Sequence, residues 1–181
     1  MLRETKITIG VLGLLLTVAA ACTGYFLLTN QSETSSTQAT FGYRDDVLPF
    51  TDMRGSEVDI LSNSSDKRFL VVTSWASWCP GCADELSDFD ALAGTLSDDV
   101  RIVAINRREG SYQAQRFLQT LDELSNLEII LDESDRFYRD VAGYTMPETI
   151  IYDSRGEILF RHRGTGAPRV VEEYLLEHIQ Q

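Results

Sequence analysis

The feature that most constrains this chain is a pair of cysteines, Cys79 and Cys82, that lies between a strand pattern and a helix pattern. The apolar run over residues 69–74 predicts a buried strand, and an apolar stripe at helical spacing predicts a helix over residues 80–96. A cysteine at a helix N-terminus lies near unpaired N–H groups and the positive end of the helix dipole, which stabilise a thiolate. Since the thiolate is the nucleophile in disulfide exchange, Cys79 is predicted to attack and Cys82 to resolve the mixed disulfide.

Two cysteines at this spacing also occur as half of a zinc site, which usually takes about four Cys or His ligands. The third cysteine, Cys22, lies far away in an apolar segment, and His162 and His178 stand singly. The strand–motif–helix context therefore favours redox chemistry over zinc binding and over an inert structural disulfide. Neither a metal nor a cofactor is expected besides the cysteine pair.

The pair lies in a run that resembles the active-site signature of thioredoxin-fold proteins, Trp75-Ala76-Ser77-Trp78-Cys79-Pro80-Gly81-Cys82. Glu85 follows the second cysteine by three residues. That addition is similar to the pattern of TlpA/ResA/CcmG-like membrane-anchored thiol–disulfide oxidoreductases of the thioredoxin superfamily. The resemblance covers residues 41–181. It implies an α/β thioredoxin fold, which is a central mixed sheet flanked by helices, with an N-terminal β-hairpin and a βα insertion.

Patterns in the rest of the domain agree with that fold. They predict a hairpin around residues 54–56, a strand over 100–105, a helix over 112–124 capped by Ser111, a strand over 127–131 with a short helix over 135–141, a hairpin across 154–156, and a last helix that begins near Pro168. The strand at 127–131 and the short helix after it resemble the insertion of the TlpA-like group.

Pro147 precedes an apolar strand pattern and resembles the cis-proline loop of the fold. A cis X–Pro bond is only about 0.5–1 kcal/mol less favourable than trans, and an ordinary trans proline at a strand start is the alternative. The resemblance implies that the backbone of Met146 pairs with a bound peptide. It also implies that Trp78, Pro80 and Gly81 complete the peptide-binding surface beside the cysteines.

Glu85 is the candidate for handling the proton of Cys82. Thioredoxin itself carries a buried Asp six residues before its first active-site cysteine, and this chain has Thr73 there, which does not titrate usefully. Burial and a nearby thiolate would raise the pKa of Glu85 and suit it to act as a base near neutral pH. The alternative is a solvated carboxylate that favours the helix dipole.

Charge around the pair bears on the direction of the reaction. No His, Lys or Arg lies between or directly after the cysteines, and Asp84 and Glu85 add negative charge. Both features disfavour the Cys79 thiolate, whereas a strongly stabilised thiolate makes a protein oxidising. The sequence therefore predicts a reducing protein.

The N-terminal segment predicts attachment to a membrane. Residues 7–28 contain no charged residue and are long enough to span the bilayer as a helix, and Lys and Arg precede but do not directly follow them. This pattern predicts a cytoplasmic N-terminus over residues 1–6, a transmembrane anchor over 7–28, a flexible linker over 29–40 and an extracytoplasmic domain over 41–181. A signal peptide cleaved after residues 19–21, or a lipoprotein modified at Cys22, are the alternatives.

The net charge of −12, from 16 Lys and Arg against 28 Asp and Glu, argues against a nucleic-acid partner, because contact with phosphates requires cations. The resemblance implies protein thiol/disulfide substrates, apocytochrome c among them, and a membrane thiol as electron donor. A general disulfide oxidase or isomerase and a non-catalytic binding module of the same fold are the alternatives. A peroxidase is less favoured, because the domain holds no further resolving cysteine.

Overall fold

The computed structural model describes residues 49–60, 64 and 66–179 of the chain. The predicted segments 1–6, 7–28 and 29–40 lie outside the described residues. Among the residues that are described, no helix is both long enough and apolar enough to cross a membrane.

The strands of the described residues form one mixed sheet in the order β2-β1-β5-β4-β3-β6-β7. Their bounds are β1 Phe50–Asp52, β2 Glu57–Val58, β3 Phe69–Trp75, β4 Val100–Arg107, β5 Glu128–Asp132, β6 Glu148–Asp153 and β7 Ile158–Arg163. Strand β3 pairs in parallel with β4 and antiparallel with β6. Its run is apolar for most of its length because a strand in the middle of the sheet is covered on both faces.

Four helices lie within the described residues: α1 Cys82–Ala93, α2 Ser111–Leu118, α3 Arg136–Asp140 and α4 Ala167–Ile179. The predicted start of α1 at residue 80 is wrong, because Gly81 has a left-handed backbone (φ 81°) that no right-handed helix accommodates. The predicted length of α2 is also wrong. The Thr120 hydroxyl donates to the Phe117 carbonyl at 2.6 Å and competes with further helical bonds. Gly110, and not Ser111, occupies the cap position of α2.

The predicted N-terminal hairpin is confirmed as β1 and β2, and β1 joins the sheet antiparallel to β5. The predicted βα insertion is confirmed as β5 and α3, which lie between α2 and the strand that follows Pro147. Strands β6 and β7 form the predicted second hairpin. The fold is the predicted thioredoxin-like one.

Apolar side chains fill both sides of the sheet, and alternate residues of β3 divide between the two sides. Val71 and Trp75 belong to the cluster that α1, α2 and α4 cover. Leu70 and Val72 belong to the opposite cluster, together with Phe137 of α3. A strand fixed on both faces holds its carboxyl end firmly, and the cysteine pair follows that end directly.

Candidate active site

Three loops meet at the carboxyl end of β3. In the register of the sheet, Trp75 lies opposite Asn106, so the loop after β4 lies beside the loop that carries the cysteines. Ser74 lies opposite Glu148, the first residue of antiparallel β6, so Pro147 reaches the same edge from the other side. The register of β3 with its two neighbours therefore builds the site from segments that are distant in sequence.

Cys79 and Cys82 form a disulfide with their Cα atoms 5.6 Å apart. Cys82 is the first residue of α1, and Cys79 lies in the turn before it, three residues ahead of the helix. Cys79 is 5% exposed and Cys82 only 1%, which makes Cys79 the sulfur that is more open to attack. Since the two sulfurs are bonded to each other, neither is a zinc ligand here. The described part of the chain contains no group of three or more His, Cys, Asp or Glu side chains that could hold a metal.

The carboxylate of Glu85 is buried on α1, one turn beyond Cys82, with only 4% of the residue exposed. Residues three apart share a helix face, so this side chain lies on the same face as Cys82. Burial raises the pKa of Glu85 to about 7, while the backbone N–H groups of Ala167 and Gly166 and the hydroxyl of Thr73 oppose the rise. A carboxyl group with this pKa exchanges protons readily near neutral pH.

Two buried hydroxyl groups lead to this carboxylate. Thr149 donates to the hydroxyl oxygen of Thr73 at 2.9 Å, and Thr73 donates to Glu85 Oε1 at 3.5 Å. The other carboxylate oxygen, Oε2, is buried without a hydrogen bond. No local sequence pattern marks Thr73 or Thr149 as functional, because the cross-strand pairing of β3 and β6 brings them together from positions 76 residues apart.

The peptide bond between Met146 and Pro147 is cis, as predicted. Two hydrogen bonds fix the loop around it. The N–H of Gly164 donates to the Pro147 carbonyl at 2.9 Å, and the Tyr138 hydroxyl donates to the Thr145 carbonyl at 3.0 Å. The inserted helix α3 thus supports the cis-proline loop.

Glu148 anchors the same loop from within β6, where it is 1% exposed. Arg161 and Arg163 on β7 donate to its Oε1 at 3.0 and 3.1 Å, and the Tyr144 N–H donates to its Oε2 at 3.1 Å. A buried carboxylate with two cations and a backbone donor is well compensated. It therefore holds the start of β6 in place.

Among the other predicted site residues, Trp78 directly precedes Cys79, and Pro80 and Gly81 lie between the two cysteines. Trp78 is 55% exposed, and Pro80 is exposed beside it. Gly81 contacts the loop before α4 so closely that a Cβ there would lie 2.8 Å from the Thr165 methyl group. Thr165 was not predicted to lie at the site, although the glycines on either side of it signal a tight turn.

The sequence model of the AhpC/TSA family matches residues 45–161, which is more than half of the chain. The chain belongs to the AhpC/TSA family. Membership in this family agrees with the thioredoxin-like sheet and with the cysteine pair at the carboxyl end of β3.

Relatives of this AhpC/TSA-family chain carry names from thiol–disulfide chemistry. The thiol:disulfide interchange protein DsbE of Escherichia coli strain K12 is 29% identical over 117 residues, which are 65% of this chain and 60% of that protein. The thiol-disulfide oxidoreductase ResA of Halalkalibacterium halodurans is 26% identical over 125 residues, 68% of this chain and 69% of that protein. The match thus spans well under the full length of the DsbE protein.

Among solved structures, the pneumococcal exposed lipoprotein thioredoxin Etrx1 from Streptococcus pneumoniae strain TIGR4 superimposes with a TM-score of 0.63 at 21% identity. The superposition covers 72% of this chain and 98% of that one. At this identity the likeness shows the thioredoxin-like fold alone.

Proposed function

We propose that this protein is an extracytoplasmic thiol–disulfide oxidoreductase that reduces protein disulfides through Cys79 and Cys82. The observation that carries the proposal is the Cys79–Cys82 disulfide at the end of β3, with the buried Glu85 one turn behind it and the cis bond before Pro147 on the adjacent loop. The names of the DsbE and ResA relatives support the same chemistry.

The reaction follows from the positions of the two sulfurs. In the reduced protein, the Cys79 thiolate attacks a substrate disulfide, which gives a mixed disulfide and releases one substrate thiolate. Cys82 then attacks the Cys79 sulfur, and its proton passes to Glu85. The substrate leaves as a dithiol with two more electrons, and the protein keeps the Cys79–Cys82 disulfide. A second thiol reductant returns the protein to the dithiol state.

The substrate is bound as an extended peptide across the surface beside the disulfide. The backbone of Met146 pairs with that peptide, while Pro147 sets the direction of the loop. The exposed Trp78 and Pro80 lie against the bound peptide, and Gly81 leaves room for the loop before α4. The hydrogen bonds that fix the cis-proline loop support this role, since they hold the pairing backbone in place.

The chain is anchored by residues 7–28, and the linker over 29–40 holds the domain over 41–181 outside the cytoplasm. The uncharged length of the segment and the placement of Lys and Arg support this orientation. The physiological substrate is apocytochrome c, and a membrane thiol supplies the electrons. Protease added to spheroplasts, in which the cytoplasmic membrane is intact and its outer face is accessible, should digest the domain, and full protection of the domain would refute the orientation.

The activity is tested by the reduction of insulin disulfides with the purified chain and dithiothreitol. Wild type should accelerate the reduction, and Cys79→Ser should abolish the acceleration. No acceleration by wild type would leave only a non-catalytic binding module of this fold, and equal acceleration by both proteins would refute the role of Cys79. Cys82→Ala should trap substrates as mixed disulfides on Cys79, because the resolving thiol is absent. Equilibration of the Cys79–Cys82 pair with glutathione measures its reduction potential. A potential as oxidising as that of a disulfide oxidase would refute the proposed role as a reductant.

A further inference from the structure

A second buried carboxylate, Glu109, lies beside the loop that leads to Cys79. Glu109 is 4% exposed and follows β4. Its Oε1 accepts from the Ser77 hydroxyl at 2.5 Å and from Gln113 Nε2 at 2.8 Å. Its Oε2 accepts from the Ser77 backbone N–H at 2.9 Å and from Asn106 Nδ2 at 2.8 Å. One carboxylate thus joins the cysteine loop, the end of β4 and the first turn of α2.

All four hydrogen bonds are donated to Glu109, so the arrangement suits the ionised carboxylate, which only accepts. All four donors are neutral, and none of the ion pairs among the described residues includes Glu109. Of the two cations next to it in sequence, Arg107 pairs with Asp135 at 2.7 Å, and Arg108 is exposed. The negative charge of Glu109 is therefore solvated by dipoles and not neutralised by a cation.

Two consequences follow for Cys79. The bonds to Ser77 fix the backbone two residues before the nucleophile, which holds the turn that carries Trp78 and Cys79. A fixed negative charge nearby also disfavours a second negative charge in a site screened from water. The Cys79 thiolate therefore forms less readily than it would beside a neutral side chain.

We propose that Glu109 is a positioning residue for disulfide exchange, which fixes the Cys79 loop through Ser77 and lowers the stability of the Cys79 thiolate by its buried charge. The inference rests on the proposed function for its purpose, since it keeps the pair reducing. It concerns a property of the cysteine pair itself, and it is measured without any protein substrate.

Glu109→Gln tests the charge with little change of shape. Its amide oxygen can keep the two donors at Oε2, while the amide group at the Oε1 position faces Ser77 and Gln113, whose hydroxyl and flipped amide can both accept. We expect the acid dissociation constant of Cys79 to rise about tenfold, which is the effect of a lost charge close by. The measurement is the pH dependence of Cys79 alkylation in the full reduced chain, followed by mass spectrometry so that Cys22 and Cys82 are distinguished.

The equilibrium with glutathione separates charge from simple loosening of the loop. Two glutathione molecules reduce the protein disulfide and give the protein dithiol and glutathione disulfide. Free cysteine ionises at about pH 8.5. Relative to wild type, Glu109→Gln should therefore shift the equilibrium toward the dithiol several-fold at about pH 9, where the thiolate forms, and by less than about twofold at about pH 7. A shift of equal size at both pH values would overturn the proposal, because loosening of the loop does not depend on thiolate formation.

Matched variants complete the test. Glu133→Gln removes an exposed carboxylate from the loop after β5 and should leave Cys79 unchanged. Ser77→Ala keeps the charge of Glu109, so an effect equal to that of Glu109→Gln would overturn the role of charge. If Glu109→Gln fails to fold, Gln113→Lys decides, since it brings a cation to the carboxylate from an exposed position. It should raise the acid dissociation constant of Cys79, and an unchanged constant would overturn the proposal.

If wild type did not accelerate insulin reduction, the proposed function would be refuted, whereas the proposal for Glu109 would still be tested by the acid dissociation constant of Cys79.

Discussion

Replacement of Glu85 by glutamine tests the buried carboxylate through the pH dependence of stability. Burial raises the pKa of Glu85 in the folded protein from 4.5 to about 7. Each pKa unit corresponds to about 1.4 kcal/mol, so ionisation of this group destabilises the folded state by about 3 kcal/mol. The residue is 4% exposed, so screening by solvent does not greatly reduce this figure.

The raised pKa of Glu85 determines whether stability rises or falls with pH. Below about pH 4.5 Glu85 is protonated in both states, and its contribution to stability is fully present. As pH rises through about 7, the unfolded state loses this proton before the folded state does, so the contribution is lost. A glutamine side chain would resemble the protonated carboxyl at every pH, so Glu85→Gln should gain about 3 kcal/mol relative to wild type between about pH 4 and pH 8.

The assay is urea unfolding of the oxidised protein at a series of pH values, with the difference between variant and wild type plotted against pH. All other ionisable groups are shared, so their contributions cancel in the difference. Asp84→Asn is the control, because Asp84 is exposed on the same turn of α1. If the difference in the free energy of unfolding between Glu85→Gln and wild type stayed constant across the pH series, the reasoning would be refuted. Thr73→Val should raise the pH at which the contribution of Glu85 to stability is lost by about half a unit, because it removes a long hydrogen bond to the carboxylate.

Two further predictions concern the scaffold of the site. Gly81→Ala should lower the free energy of unfolding by about 2–3 kcal/mol, because Ala is strained at φ 81° and its Cβ would lie 2.8 Å from the Thr165 methyl. Gly55→Ala is the control, because Gly55 has a similar φ of 83° but nothing near its Cβ, so the variant has the backbone strain alone. If both variants lost equal stability in thermal unfolding, the contact between residue 81 and the Thr165 methyl would be harmless. Asp90→Ala should destabilise by about 1–3 kcal/mol, because Asp90 accepts from the N–H groups of residues 126 and 127 at 2.7 and 2.9 Å and ties α1 to the segment before β5. Asp88→Ala, exposed on the same helix, should stay within about 0.5 kcal/mol of wild type in the same urea titration, and a similar loss would contradict this account.

Local patterns in the sequence predicted the elements and the cysteine pair that forms the disulfide. The run before Cys79 reads as a central strand because every residue of β3 is buried. The position of Glu85 one turn after Cys82 was readable because helix spacing places the two on one face. The start of α1 was predicted too early because Pro80 fits a first helical turn. Gly81 has a left-handed backbone, so the helix begins only at Cys82.

Contacts across the sheet were beyond such patterns. Glu109 lies in a loop between a strand and a helix, and nothing within a few residues of it marks a partner for Ser77, 32 residues away. The same holds for Thr149 and Thr73. In both cases the partners depend on the register of β3 with β4 and β6, which the packing of the whole sheet decides.

By itself, the sequence determined the order of strands and helices, the cysteine pair that forms the disulfide and the carboxylate that follows it, because each depends on spacing over a turn or two of chain. Only the tertiary structure decided how deeply that carboxylate is buried, which hydroxyls and amides face it, and which second carboxylate binds Ser77 in the loop before Cys79. These depend on which distant segments the sheet brings to one edge, and desolvation, which raises the pKa of Glu85, is a property of everything packed around a group.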